Sequence, residues 1–177
     1  MNEKELLTSK ELSMNRHQWN AKYNETPVKV IYYTAAKSLV FNHIHATIVT
    51  DQNDQLLEFS RLTKRSEEKF LSDDQVIKKA DKFIKQVSQS KQNLELEEVQ
   101  EHLRYFIDDN NRIITVPILL VKYVNLDNHS FSWVAFNGNQ VVEYEREAYY
   151  DYSKGTGKTQ RWAIDNWLID HQDELKN

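Results

Sequence analysis

Residues 131–144, FSWVAFNGNQVVEY, carry the reading that decides the fold class. Asn137-Gly138 stands between two runs of alternating apolar residues, the strongest short-range signal for a two-residue β-hairpin. A type I′ turn there pairs Phe136 with Asn139, Val134 with Val141, Trp133 with Val142 and Phe131 with Tyr144. One face of the hairpin then carries Phe131, Trp133, Ala135, Val142 and Tyr144, a row of large side chains that needs a cover. Such a hairpin belongs to antiparallel sheet. The expected class is therefore α+β: antiparallel sheet built from hairpins, with helices packed on one face, in one compact domain or in two similar helix-plus-sheet units.

Immediately upstream, Arg112–Val124 is apolar on both faces, as for an interior strand covered on both sides. Pro117 has no N–H to give a ladder and predicts a bulge or an edge at that point. Residues 94–107 fit two periods. Leu96, Val99, Leu103 and Phe106 suit a helix, whereas Leu103, Tyr105 and Ile107 suit a strand, and periodicity does not choose between them. Residues 72–88 are the clearest helix. Ser72 and Gln75 have capping-box spacing, Asp73 and Asp74 suit the positive end of the dipole, and Val76, Ile77, Ala80, Phe83, Ile84 and Val87 fall on one face.

Further out, Val28–Thr34, Phe41–Thr50 and Leu56–Leu62 read as strands, the last two around the polar turn Asp51–Asp54. Residues 1–24 read as an N-terminal helix with a capping box at Thr8 and Glu11, with Leu12, Trp19 and Tyr23 at helical spacing, ended by Thr26-Pro27. A last helix is expected over roughly Thr159–Leu175. The division of the chain is thus an N-terminal helix (1–24), a first antiparallel strand unit (25–71) and a helix-plus-sheet unit with a C-terminal helix (72–177).

At 177 residues and 40% hydrophobic content the chain is long and apolar enough to build a core. A net charge of −4 argues against general nucleic-acid binding, which needs Lys and Arg to neutralise phosphates. With no cysteine, disulfides, thiolate nucleophiles and Cys-type zinc sites are excluded. The longest apolar run, Ile113–Val121, is too short to span a bilayer, and no membrane association is expected. The polar N-terminus has no apolar signal core, so the expected compartment is the cytoplasm, or an extracytoplasmic one where a leader has been removed.

The amphipathic helix SDDQVIKKADKFIKQV followed by strands that include FSWVAFNGNQVVEYER resembles PepSY-type modules over residues 72–146. The segment HATIVTDQNDQLLEFSR has the same strand–turn–strand cadence. The resemblance implies a cystatin-like fold, a helix packed on antiparallel sheet, and a binding or regulatory role without catalytic residues. Members of that family usually sit outside the cytoplasmic membrane, which this N-terminus does not match.

Several groups could carry chemistry. Gly155-Thr156-Gly157-Lys158-Thr159 evokes a phosphate loop, yet Tyr152 stands where the pattern needs glycine. A helix start just after it would leave backbone amides for an anion, with Lys154, Lys158 and Arg161 nearby; the alternative is a plain loop. His43 and His45, two apart on a predicted strand, share a face and could begin a metal or ligand site, though no third metal ligand is identifiable and no metal or other cofactor is implied. Glu143, Glu145 and Glu147 alternate on one strand, as for carboxylate chemistry or a solvated face that guards an edge. The run of aromatics containing Tyr149, Tyr150, Tyr152 and Trp162 suits either a core or an interface for a protein or peptide partner. No nucleophile-elbow or zinc-helix motif exists.

The expectation is a non-catalytic binding or regulatory protein acting through a sheet face or groove. The alternative is a small-ligand-binding protein or enzyme with a pocket between sheet and helices, tested at His43, His45, Tyr144 and Arg146. The pattern leaves the oligomeric state open.

Overall fold

The structure, a computed structural model, describes residues 3–62, 71–88, 92–108, 110–151, 153 and 156–176. The Asn137-Gly138 region is a hairpin, but its turn sits one residue later than expected. Asn137 pairs with Gln140, so Gly138 and Asn139 form the turn, and Gly138 takes φ 58°. A positive φ at the first turn position suits the type II′ geometry, which demands glycine there. A register shift at Ala135/Phe136 then sets Val134 opposite Tyr144 and Trp133 opposite Glu145, and a second, at Phe131/Trp133, sets Phe131 opposite Ala148. Each shift re-phases the alternation. Tyr144 therefore leaves the Trp133 row and joins Val134 and Phe136 on the other face.

The antiparallel α+β class stands. One eight-stranded sheet runs β1 (Asn15–Tyr23), β2 (Thr26–Thr34), β3 (His45–Asp51), β4 (Leu56–Leu62), β8 (Gln140–Ala148), β7 (Phe131–Asn137), β6 (Ile113–Asn125) and β5 (Leu94–Ile107). Each half of the chain is a helical segment followed by a four-strand meander. The two meanders meet last strand to last strand, where β4 pairs with β8 over Glu58–Ser60.

Two expectations change, and the open choice at residues 94–107 resolves to strand. Residues 1–24 are not one helix: α1 (Glu3–Leu6) and α2 (Ser9–Leu12) are single turns, and β1 follows. The Thr8–Glu11 capping box does form. Along β1, exposed Gln18, Asn20 and Lys22 alternate with half-buried His17, Trp19 and Ala21. Trp19 and Tyr23, four apart, lie on one side of a helix and of a strand alike, so their spacing did not distinguish the two. Asn24 and Glu25 both take positive φ, 46° and 64°, and make the β1–β2 turn. Thr26-Pro27 therefore opens β2 instead of closing a helix. Residues 94–107 are strand throughout, pairing with β6. The C-terminal helix α4 spans only Asp165–Asp170, followed by a 3-10 turn at Gln172–Glu174.

Helices are also split between the faces. The helix α3 (Asp73–Val87) buries Val76, Ala80, Phe83, Ile84 and Val87 on one face, together with Leu6 and Leu7 beside α1. The Gln75 side chain accepts the Ser72 N–H at 3.1 Å, as the capping-box spacing requires. These residues meet Ile31, Ile48, Phe59, Phe136 and Tyr144, each buried side chain stabilising the fold by about 1.5–3 kcal/mol. Residues 162–175, including α4, lie on the opposite face against Val30, Tyr32 and Val49.

Pro117 stands where β6 has one neighbour. It faces Leu103 of β5, whereas pairing with β7 begins at Leu119, so the missing N–H falls at an edge of the expected kind. From there the β5–β6 hairpin runs past the sheet, and its end turns back: the Ile107 N–H donates to the Asn42 carbonyl at 2.7 Å.

Candidate functional site

The face away from α3 carries, at the β4–β8 seam, a row of acids. Glu58 lies directly opposite Glu145, and Ser60 opposite Glu143. All three glutamates are buried, which corrects the solvated row expected for Glu143 and Glu145; Glu147, at a bulge with φ 55°, is half-buried. Like charges set opposite one another across a ladder destabilise a sheet. The site meets this cost with two arginines and a backbone N–H. Arg104 clasps Glu143 with two hydrogen bonds of 2.5 and 2.9 Å. Arg161 Nε donates to Glu145 Oε2 at 3.2 Å, and the Ala163 N–H donates to Glu58 Oε2 at 2.6 Å.

Burial pushes the Glu145 carboxyl up to about 7, against the pull of Arg161 and with Glu143 adding to the push. Burial also raises Glu58 well above the ordinary carboxylate range, and the Glu145 charge adds to it. Glu58 Oε1 and Glu145 Oε1 are buried with no hydrogen-bond partner among the described residues. Desolvation and the facing carboxyl act in the same direction, each disfavouring the charged form.

Two clefts flank the acid row. The larger, about 730 Å³, is bounded by Arg104, Phe106 and Ile107 of the turned-back hairpin, by His45, Ser60 and Glu143 of the sheet, and by Arg161, Ile164 and Asp165. The smaller, about 520 Å³, is lined by Phe131, Trp133, Glu145, Tyr149, Thr159 and Trp167 among others. Arg161 lines both, and its guanidinium lies 5.4 Å from the Trp133 ring centroid.

The C-terminal segment that separates the clefts is pinned by buried polar contacts. Trp162 donates its indole N–H to the Lys22 carbonyl at 2.6 Å, and Tyr32 donates its hydroxyl to Asp165 Oδ2 at 3.2 Å. Asp165 also accepts the Asn42 N–H and sits 3.4 Å from His45 Nε2.

The residues singled out from the sequence scatter. His45 is buried and stacked on Tyr32 at 5.2 Å, with Nδ1 at 2.8 Å from the His43 carbonyl and Nε2 facing Asp165. Both ring nitrogens thus face protein groups. His43 precedes β3, in an isolated bridge to Ile107, so the two histidines are not a strand-face pair. Tyr144 lies on the α3 face, edge-on to Phe83 at 5.4 Å. Arg146 bonds Glu147 Oε1 at 3.0 Å, and its carbonyl accepts the Tyr23 hydroxyl. These four residues do not converge.

Of the anion-site residues, Lys158 and Arg161 lie in a loop and not at a helix start. The Lys158 N–H donates to the Tyr149 carbonyl at 2.8 Å, and the helix expected to start there begins at Asp165. Lys154 and Tyr152 lie outside the described residues. Trp162 is core, fully buried, whereas Tyr149 and Tyr150 line the smaller cleft. Sequence reasoning passed over Glu58, Arg104 and Trp133 as site residues. A signal did exist: carboxylates at alternate positions inside an otherwise apolar hairpin.

Family models, curated proteins and solved structures give no match to this chain. Among the described residues, no group of three or more His, Asp or Glu side chains is arranged to hold a metal, and no helix is long and apolar enough to cross a membrane.

Proposed function

We propose that this is a non-catalytic binding or regulatory protein whose ligand lodges on the sheet face opposite α3, in the clefts around Glu143 and Glu145. The observation that carries the reading is the pair of clefts on either side of a buried, arginine-bridged acid row. Stability alone is a poor reason to bury three carboxylates, since apolar replacements of buried ion pairs are often neutral or stabilising. Concave apolar surface with a few convergent polar groups is what ligand sites are made of. The order of α3 followed by β5–β8 supports reading residues 72–146 as a PepSY-type module, with the binding role that the likeness implies.

A second reading, an enzyme, is favoured by one observation: Glu58 and Glu145 face each other across the β4–β8 ladder, and burial raises both carboxyls above the ordinary range, as in general acid–base pairs. A screen of the full chain against a chemically diverse library, read by thermal shift and by turnover, tests both. The binding reading expects a ligand that raises the melting temperature, protects the 104, 133, 143 and 145 backbone from hydrogen exchange, and is recovered unchanged. Turnover abolished by Glu145→Gln would replace it with the enzyme reading. A library with no hit on this face would overturn both.

A further inference from the structure

The smaller cleft has a chemistry of its own. Its walls are aromatic: Phe131, Trp133, Tyr149 and Trp167. At its floor Glu145, 4% exposed, commits Oε2 to Arg161 and leaves Oε1 buried without a partner among the described residues. A second buried group without a partner, the Trp167 indole N–H, belongs to another wall. One orphan acceptor and one orphan donor in the same aromatic cleft are costly unless something completes them.

Charge narrows the ligand. Lys122 lies 4.3 Å from the Phe131 ring centroid and Arg161 5.4 Å from that of Trp133, so one face of each ring already carries a cation. A further cation would meet both. A saturated ligand would forgo stacking on the walls, and a hydrocarbon would leave Glu145 Oε1 unpaired. About 520 Å³ holds a fused bicyclic ring with room for substituents.

We infer that the smaller cleft is a site for an uncharged, planar nitrogen heterocycle whose ring N–H donates to Glu145 Oε1 while the ring packs against Trp133 and Trp167. This rests on the binding role proposed for this face and names the ligand class. A ring acceptor, where present, completes the Trp167 N–H. Arg161 keeps Oε2 occupied and leaves Oε1, buried just beneath the cleft lining, as the acceptor for the ligand once the walls adjust to admit the ring.

The test is a titration of the full chain with indole and with benzothiophene, which has nearly the same shape but no N–H. It is followed through the indole ¹H–¹⁵N signals of Trp133 and Trp167. Indole is expected to shift both signals and to bind about tenfold tighter than benzothiophene, the worth of one buried hydrogen bond. Glu145→Met removes the acceptor and is expected to erase that preference while benzothiophene still binds. Trp133→Leu, which leaves the carboxyl in place, is expected to weaken both ligands. Equal binding of the two compounds by the native chain would overturn the inference yet leave a binding face standing. No shift with either would overturn it outright, and the library screen alone would then decide the broader reading.

Discussion

The two faces of the sheet share the same strands and differ in nearly everything else. Toward α3, alternate residues of β2, β3, β4, β7 and β8 supply Ile31, Ile48, Phe59, Val134, Phe136 and Tyr144, which with the helix form one large buried cluster. One position along, the other face offers Glu58, Ser60, Glu143, Glu145 and His45, also buried but polar or ionisable. The first face is a cover problem solved by one amphipathic helix. The second is closed piecemeal, by the C-terminal segment over β2–β3 and by the β5–β6 hairpin end. The α3 face holds the largest buried cluster and one buried ion pair, Arg61–Glu11, whereas the other face divides its apolar core into two smaller clusters around the acid row and its clefts, because a strand sends successive side chains to opposite sides.

That division can be broken most severely from the α3 side. Phe83→Ala removes a ring packed on Tyr144 and is expected to cost about 3–5 kcal/mol in urea-unfolding stability. A much smaller loss would mean that α3 is not the principal cover.

The acid face is expected to show the opposite sign. Glu145 has its folded pKa raised from 4.5 to about 7. Its contribution is fully present below the unfolded value and is lost as pH rises through about 7, so the melting temperature should decline across that window. Glu58, Glu143, Arg104 and Arg161 are the charged groups that surround this carboxyl, the glutamates adding to the rise and the arginines opposing it. Glu145→Gln is expected to flatten this decline and to stabilise the protein by about 1–2 kcal/mol at pH 8. A melting temperature that is higher at pH 8 than at pH 5 would contradict the buried acid pair.

The turn between β7 and β8 offers a sharper test of register, on which both faces depend. Gly138→Ala places a Cβ at φ 58° and is expected to cost about 1 kcal/mol, measured by urea unfolding, whereas Asn137→Ala should cost less. The reverse order would restore the turn at Asn137-Gly138. The smallest effect is expected at Tyr144→Phe. It removes a buried hydroxyl without a hydrogen-bond partner among the described residues, so stability should change by less than about 1 kcal/mol.

How far the sequence could be read varied with the range of the interactions involved. The α3 boundaries, the β4 limits and the Thr8 capping box were all legible because caps and periodicity act within a few residues. The β1 strand was not, since a spacing of four suits helix and strand equally. The site was the least legible part. Glu143 and Glu145 share a face with Trp133 because of one register shift in β7–β8, at Ala135/Phe136, and their partners Arg104 and Arg161 come from other segments of the chain.

By itself the sequence determined the antiparallel α+β class, the helix over 73–87 and the hairpins, since these follow from local alternation, turn chemistry and one apolar helical face. Tertiary structure alone decided that the two meanders join through β4 and β8, that α4 covers the face opposite α3, and that an alternating row of glutamates is buried instead of solvated. A carboxylate's fate depends on which cations and which walls surround it, and those come from segments whose meeting no local pattern encodes.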